Sequence, residues 1–354
     1  MNASTDLQEI LITHQIHIQR YGSGLSNRIV KLLNSADKDL VETIAKRLAT
    51  IDKRGHDLGP ATTARLEKML AELRVLNSDV YSKVGDDLTT ELEDFGQYEF
   101  QFQARSIENV IPIVLKASIP PVSMLKAIVE QRPLQGVLLK DWVSGMETGR
   151  LDRLEASIRI GLVEGETIDQ IVKRVRGTAK MGFTDGILNI SRRSAQAMVR
   201  TAVTHVSVQA REEVYSSNSD LISGVRWVST LDSRTSAVCR ARDGQIYQVG
   251  VGPRPAAHVA CRSTTVPVLR SWREIGIDAN DASPGIRASM DGSVPANTTY
   301  ADFLKRKGNA FQDEILGKTK AAAFRKGMPL GGFIDNSGKE LNLSQLRRLN
   351  PEFF

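Results

Sequence analysis

Cysteine is almost absent from this chain: Cys239 and Cys261 are the only two thiols in 354 residues. Two are too few for the disulfide framework of a small secreted scaffold, and they fit a reducing compartment such as bacterial cytoplasm. Aromatic residues are scarce at 5%, and the apolar content is mostly Ala, Leu, Ile and Val interspersed with charges, which suits amphipathic helices better than a β-sandwich. No run of roughly 18 apolar residues occurs, and the opening MNASTDLQEI has no basic stretch leading into an apolar core, so neither a membrane span nor secretion is expected. Internal repeats and low-complexity tracts are also lacking.

What is present is an ordinary soluble composition, 41% hydrophobic, in a chain longer than one core usually fills, so two or three domains are expected. The net charge of +6 comes from 47 basic and 41 acidic residues. That is a mild excess, compatible with a polyanion nearby but specifying no site.

Apolar residues recur at helical spacing from Leu7 to Leu33, with Gly22 and Gly24 as a potential break, and again after Ser35 through Leu40, Ile44 and Leu48. Lys53 to Gly59 reads as a polar turn, with Pro60 opening the next helix. From Ala61 to about Asn109 the pattern fits one long helix or a hairpin turning near Gly85 or Gly96. Prolines 112, 120, 121 and 133 then break the chain into short pieces. Residues 142–175 read as a helical hairpin capped by Thr167, and a further helix spans about Ser191 to Ser216.

After Ser217 the character changes. Gly224–Thr230, Gln245–Val249 and Arg262–Leu269 are β-like, with a short helix predicted within Asp232–Arg242; residues 271–296 read as loop, Thr299–Ala323 as helix, and Leu343–Leu349 as a last short helix. The expected fold is therefore mainly α with a small α+β module: an elongated helical N-terminal part followed by a compact C-terminal domain. The boundaries are 1–135 (helical), 136–217 (hairpin and connecting helix), 218–270 (small α/β module) and 271–354 (loop and helices).

The densest set of chemical groups lies in that module: Trp227, Asp232, Arg234, Thr235, Cys239, Asp243, Gly244, His258, Cys261 and Arg262. Thiolate and imidazole are good zinc ligands, and His258 with Cys261 forms an H-x-x-C pair that a tight turn can aim at one point, with Cys239 as third ligand. A fourth Cys or His is missing; water, Asp232 or Asp243 could complete the tetrahedron. The alternatives are two buried thiols with a hydrogen-bonded imidazole in a small core, or a Cys239–Cys261 disulfide. Neither cysteine sits beside a Gly-rich oxyanion turn, which argues against cysteine catalysis. A nuclease or toxin-like DNA-processing enzyme centred on Asp232, Arg234 and His258 is the enzymatic alternative, since an acid, a cation and a base suffice in principle for phosphodiester cleavage. Asp232 or Ser233 is placed to cap the short helix, Arg234 to fork onto a carboxylate or phosphate, and Trp227 to fill the core. Further on, Lys318, Lys320, Arg325 and Lys326 make a basic segment that could meet DNA or an acidic partner, or could be a solvated face.

Five stretches occur in a telling order: IRIGLVEGETIDQIVKRVRG (158–177), AMVRTAVTHV (197–206), WVSTLDSRTSAVCRARDG (227–244), HVACRST (258–264), and YADFLKRK with FQDEILGKTK (300–307 and 311–320). Together they resemble the Mu F-like head morphogenesis proteins of tailed bacteriophages over roughly Gly136 to Leu349. Trp227, Asp232, Arg234, Thr235, Gly244 and Arg262 carry the motif. The resemblance implies a minor head protein without catalysis. It would be bound to the portal inside the capsid, after assembly in the host cytoplasm, and would support head assembly, DNA packaging or ejection. Scaffold, major capsid protein and packaged double-stranded DNA would be its neighbours, and no membrane. Family members often carry an additional cysteine near the first; here Ser236 stands where it is expected, which departs from a four-ligand zinc set.

Overall fold

A computed structural model describes residues 3–52, 60–111, 113–259, 261–278 and 285–354. In chain order the elements are α1 (Ala3–Asp52), α2 (Pro60–Glu108), α3 (Ser123–Lys126) running into a π-helical turn at Ala127–Gln131, α4 (Leu139–Val163), α5 (Ile168–Arg176) and α6 (Ile187–Ser216). Then follow β1 (Ile222–Val228), α7 (Ala237–Arg242), β2 (Ile246–Tyr247), β3 (Thr264–Leu269), β4 (Ile286–Ser289) and β5 (Gly292–Pro295). The chain ends in α8 (Tyr300–Lys305), α9 (Asn309–Leu316), α10 (Lys318–Arg325) and α11 (Leu343–Leu349). It is mainly helical with small antiparallel sheets, as the residue spacing predicts. Among the described residues no helix is long and apolar enough to cross a membrane. The expected turn at residues 53–59 and Pro112 lie outside the described residues.

Two compact units are assembled from separated stretches: Met1–Gln19, Phe95–Leu125 and Thr204–Phe354 form one, Arg20–Asp94 and Lys126–Val203 the other. In the second unit, whose named elements are all helical among the described residues, an aliphatic core gathers Leu40, Ile44 and Leu48 of α1, Leu66, Leu70 and Leu73 of α2, Leu154 and Ile158 of α4, Ile171 and Val175 of α5, and Leu188 of α6. These residues repeat at three and four positions, the spacing that keeps one helical face dry. Thr167 caps α5 with a reciprocal Gln170 contact, a full capping box. Buried Asp37 accepts from Arg150 at 2.7 Å and Arg192 at 2.6 Å, joining α1, α4 and α6.

In the first unit a three-stranded antiparallel sheet has the order β2-β1-β3, with Val225 opposite both Tyr247 and Pro267. β4 and β5 form a separate hairpin. A second core of Leu231, Tyr300, Phe303, Leu304, Phe324 and Leu346 underlies the C-terminal helices. Buried Glu99 bonds His14 through one oxygen and Ser207 Oγ at 2.8 Å through the other. Arg211 donates to the Thr265 carbonyl at 3.0 Å, tying α6 to β3.

Three local expectations change. α1 continues through Gly22 and Gly24, because a lone glycine costs only about 1 kcal/mol while the buried Leu25 and Ile29 beside them each contribute more, and for the same reason α2 is the one long helix of the two alternatives, passing Gly85 and Gly96 beside Leu88 and Leu92. The short helix expected within Asp232–Arg242 is α7, which starts at Ala237 after an Asx turn. Residues 271–296, expected to be loop, contain the β4–β5 hairpin. The helix expected over Thr299–Ala323 is three short ones, interrupted at Gly308 and Gly317.

Candidate functional site

Three elements deliver the site. The C-terminal end of β1 carries Trp227 to the interior, α7 presents Cys239, and the loop before β3 supplies His258 and Cys261, whose backbone amide donates to the His258 carbonyl at 3.2 Å. Cys239 Sγ lies 3.7 Å from Cys261 Sγ and 3.4 Å from His258 Nε2, and the three ligand atoms all fall within 4.8 Å of one another. Both thiols are free and buried. Ser236 Oγ lies 2.9 Å from the same His258 Nε2.

The histidine is oriented by the backbone. His258 Nδ1 lies 2.9 Å from the Val259 carbonyl, an acceptor only, so Nδ1 carries the proton in that bond. In the neutral ring Nε2 then turns its lone pair toward the two sulfurs, the arrangement a metal-binding imidazole uses. Two thiols this close do not both ionise. Bonding to Cys261, then burial, holds the Cys239 thiol well above its ordinary value, while the Cys239 S–H and His258 hold Cys261 well below it. The hydrogen bond to Cys261 also raises His258. Two sulfurs and one imidazole nitrogen therefore face a common point, and two soft sulfurs with one nitrogen suit zinc.

The surrounding frame is polar and closed. Trp227 is fully buried; its Nε1 donates to Ser229 Oγ at 2.9 Å, and Ser229 Oγ donates in turn to the Cys239 carbonyl at 2.9 Å. Arg242 lies over the Trp227 ring, 5.4 Å from its centroid. The Gly244 amide donates to the Trp227 carbonyl at 2.9 Å, and the glycine is required there: its φ is +82°, and a Cβ would lie 2.7 Å from Thr299 Cγ2.

Neither carboxylate considered as a fourth ligand belongs to the cluster. Asp243 accepts from Ser229 N and Tyr300 N, both at 2.6 Å, and from Arg287 at 3.1 Å. Asp232 is gripped by Arg262 in a two-pronged bond at 2.6 and 2.9 Å, and also accepts from Arg234 N at 3.0 Å. Thr235 Oγ1 lies 3.0 Å from the same Asp232 oxygen and donates to the Thr230 carbonyl at 2.6 Å. The fork onto a carboxylate is thus made by Arg262, while Arg234 contributes its backbone and leaves its side chain exposed. Asp232 does not cap α7, whose N-cap is Ser236. Asp232, Arg234 and His258 are not brought into one hydrogen-bonded set: His258 bonds Ser236 and the thiols instead.

In the basic C-terminal segment, Lys320 donates to Glu340 at 2.6 Å and the Leu341 carbonyl at 2.9 Å, Arg325 to Asp313 at 2.9 Å, and Lys326 to the Phe353 carbonyl at 3.1 Å. Lys318 is exposed. Three of these four cations are thus held by intramolecular bonds. Residue-type reasoning missed Arg287, the buried partner of Asp243, because β4 lies in a Gly- and Asp-rich stretch that reads as loop.

Residues 152–266 match the family model described as Phage Mu protein F like protein. The match begins within α4, ends within β3, and takes in Trp227, Asp232, Cys239, His258, Cys261 and Arg262, bearing out the resemblance over that span; the stretches at 300–307 and 311–320 lie beyond it. No curated protein and no solved structure matches the chain.

Proposed function

We propose that this Mu F-like chain is a minor head protein of a tailed bacteriophage that binds the portal inside the capsid and supports head assembly and DNA packaging or ejection. The observation that carries this reading is the family match over residues 152–266, which spans β1, α7, β2 and the whole Cys/His cluster. The side-chain arrangement is in keeping with a structural role, because Asp232 and Asp243 are each committed to arginine and backbone partners. Tagged protein recovered from purified virions should bring the portal protein with it. Absence from virions, with DNA cleavage by the purified protein in the presence of divalent metals, would replace this reading with the DNA-processing one.

The same reading includes a structural metal. Cys239, His258 and Cys261 would hold a zinc ion, with the Val259 carbonyl fixing the histidine, and Ser236 in place of a fourth strong ligand. The ion would tie α7 to the loop before β3. Purified protein should carry about one zinc per chain by elemental analysis, and Cys261→Ser should lose it. Metal-free wild-type protein with unchanged thermal stability would refute the assignment.

A further inference from the structure

A cavity of about 680 Å³ on the helical unit, lined in part by Lys38, Arg176, Phe183 and Arg192, has no part in the function proposed above. Most of its wall is α1, and the loop between α5 and α6 closes one side with Gly182 and Phe183; that loop is firmly built. Asp185 accepts from the amide and hydroxyl of Thr178, both at 2.8 Å, and Asn189 Nδ2 donates to the Thr184 carbonyl at 2.9 Å. Gly186 packs so tightly that a Cβ there would lie 2.3 Å from the Arg176 carbonyl carbon.

This loop holds Phe183 at a φ of +60°, a left-handed conformation that a bulky side chain rarely adopts. The strain gains little burial, because the side chain is 37% exposed at the cavity wall. The Arg176 guanidinium lies over the ring, 5.3 Å from its centroid. An aromatic ring held outward against backbone preference and backed by a cation is a stacking surface for a planar group.

The charge beside it is positive. Arg192 shares Asp37 with the buried Arg150, so two guanidiniums face one carboxylate, and Arg150 keeps Nε and Nη1 without an acceptor. Glu42, the other acid at the wall, is taken by Lys46 at 2.6 Å. Lys38 is exposed at the same wall. Aromatic stacking beside a basic lining is how proteins hold unpaired nucleotides without reading their sequence.

We propose that this cavity binds an unpaired nucleotide of a DNA strand, its base stacked on Phe183 and its phosphate held by Lys38 and Arg192. The test is fluorescence anisotropy of the full-length protein with labelled oligothymidylate. Phe183→Asn, which keeps a residue tolerant of the left-handed backbone, should weaken binding about tenfold. Lys38→Gln should flatten the dependence of log affinity on log salt by about 0.7. A blunt duplex should bind less tightly than the single strand. Independently of how any variant folds, a bromouracil-substituted strand irradiated with the wild-type protein should crosslink to the peptide containing Phe183. Equal affinity of wild type and Phe183→Asn, full displacement by inorganic phosphate alone, or crosslinks only elsewhere would overturn the proposal. Co-purification with portal is unaffected by any of these outcomes, so failure here is distinguishable from failure of the head-protein reading.

Discussion

Asp37 in the helical unit and Asp243 in the C-terminal module are both buried acids clasped by arginine, yet they have different neighbours. Asp37 receives only side chains, Arg150 and Arg192, because the backbone of α1, α4 and α6 satisfies itself within each helix. Asp243 also takes the amides of Ser229 and Tyr300, one at the end of β1 and one at the start of α8. Short elements leave many backbone groups without ladder partners, and in the module a carboxylate substitutes for them. The helical unit is thus held chiefly by its aliphatic core and the module more by a buried polar network.

That contrast is broken most directly by removing each acid's charge. Asp243→Asn leaves Arg287 buried with its charge unmatched, and should cost about 3–5 kcal/mol by denaturant unfolding. Asp37→Asn should cost less, about 3 kcal/mol, because Arg192 is 19% exposed and can turn to water while Arg150 alone is stranded. A larger loss at Asp37 than at Asp243 would reverse the ranking and show that the helical unit depends on its ion cluster more than on its leucines.

The same contrast explains what could be read from sequence. Helices built on repeating buried leucines, such as Leu66, Leu70 and Leu73, declare themselves through spacing, and so does the β-like run around Trp227. The Cys239, His258 and Cys261 set was visible as residue types, but the facing of its ligand atoms depends on the Val259 carbonyl, a backbone group with no sequence signature. Arg287 and the β4–β5 hairpin were hidden because four-residue strands around a tight turn have the composition of a loop. Phe183 and Arg176 gave no signal either: a positive φ is not a preference of phenylalanine, and the loop contact that accompanies it, the Phe183 amide on the Thr178 carbonyl at 2.9 Å, is made by backbone.

A smaller effect tests how far the helical unit depends on local signals. Thr167 begins α5 with its side chain accepting from the Gln170 amide and Gln170 reaching back to the Thr167 amide. Thr167→Ala should cost about 1 kcal/mol, measured as a shift in the unfolding midpoint. No shift would mean that packing of Ile171 and Val175 alone fixes where α5 starts.

The smallest effect is a pH dependence specific to the module. Burial alone would raise the Asp232 carboxyl, but the Arg262 fork and the bonds from Thr235 and Arg234 outweigh it and hold the group below its ordinary value. A carboxyl whose folded pKa is depressed adds stability that is fully present above the unfolded value, about 3.9, and is lost as pH falls through the folded value. The melting-temperature gap between wild type and Asp232→Asn should therefore stay constant from neutral pH down to about 5 and close as the carboxyl protonates below about 4. A gap that persisted unchanged into acid would mean that the Asp232–Arg262 contact acts through shape and neutral hydrogen bonding, which would make the module less dependent on paired charge than Asp243 and Arg287 imply.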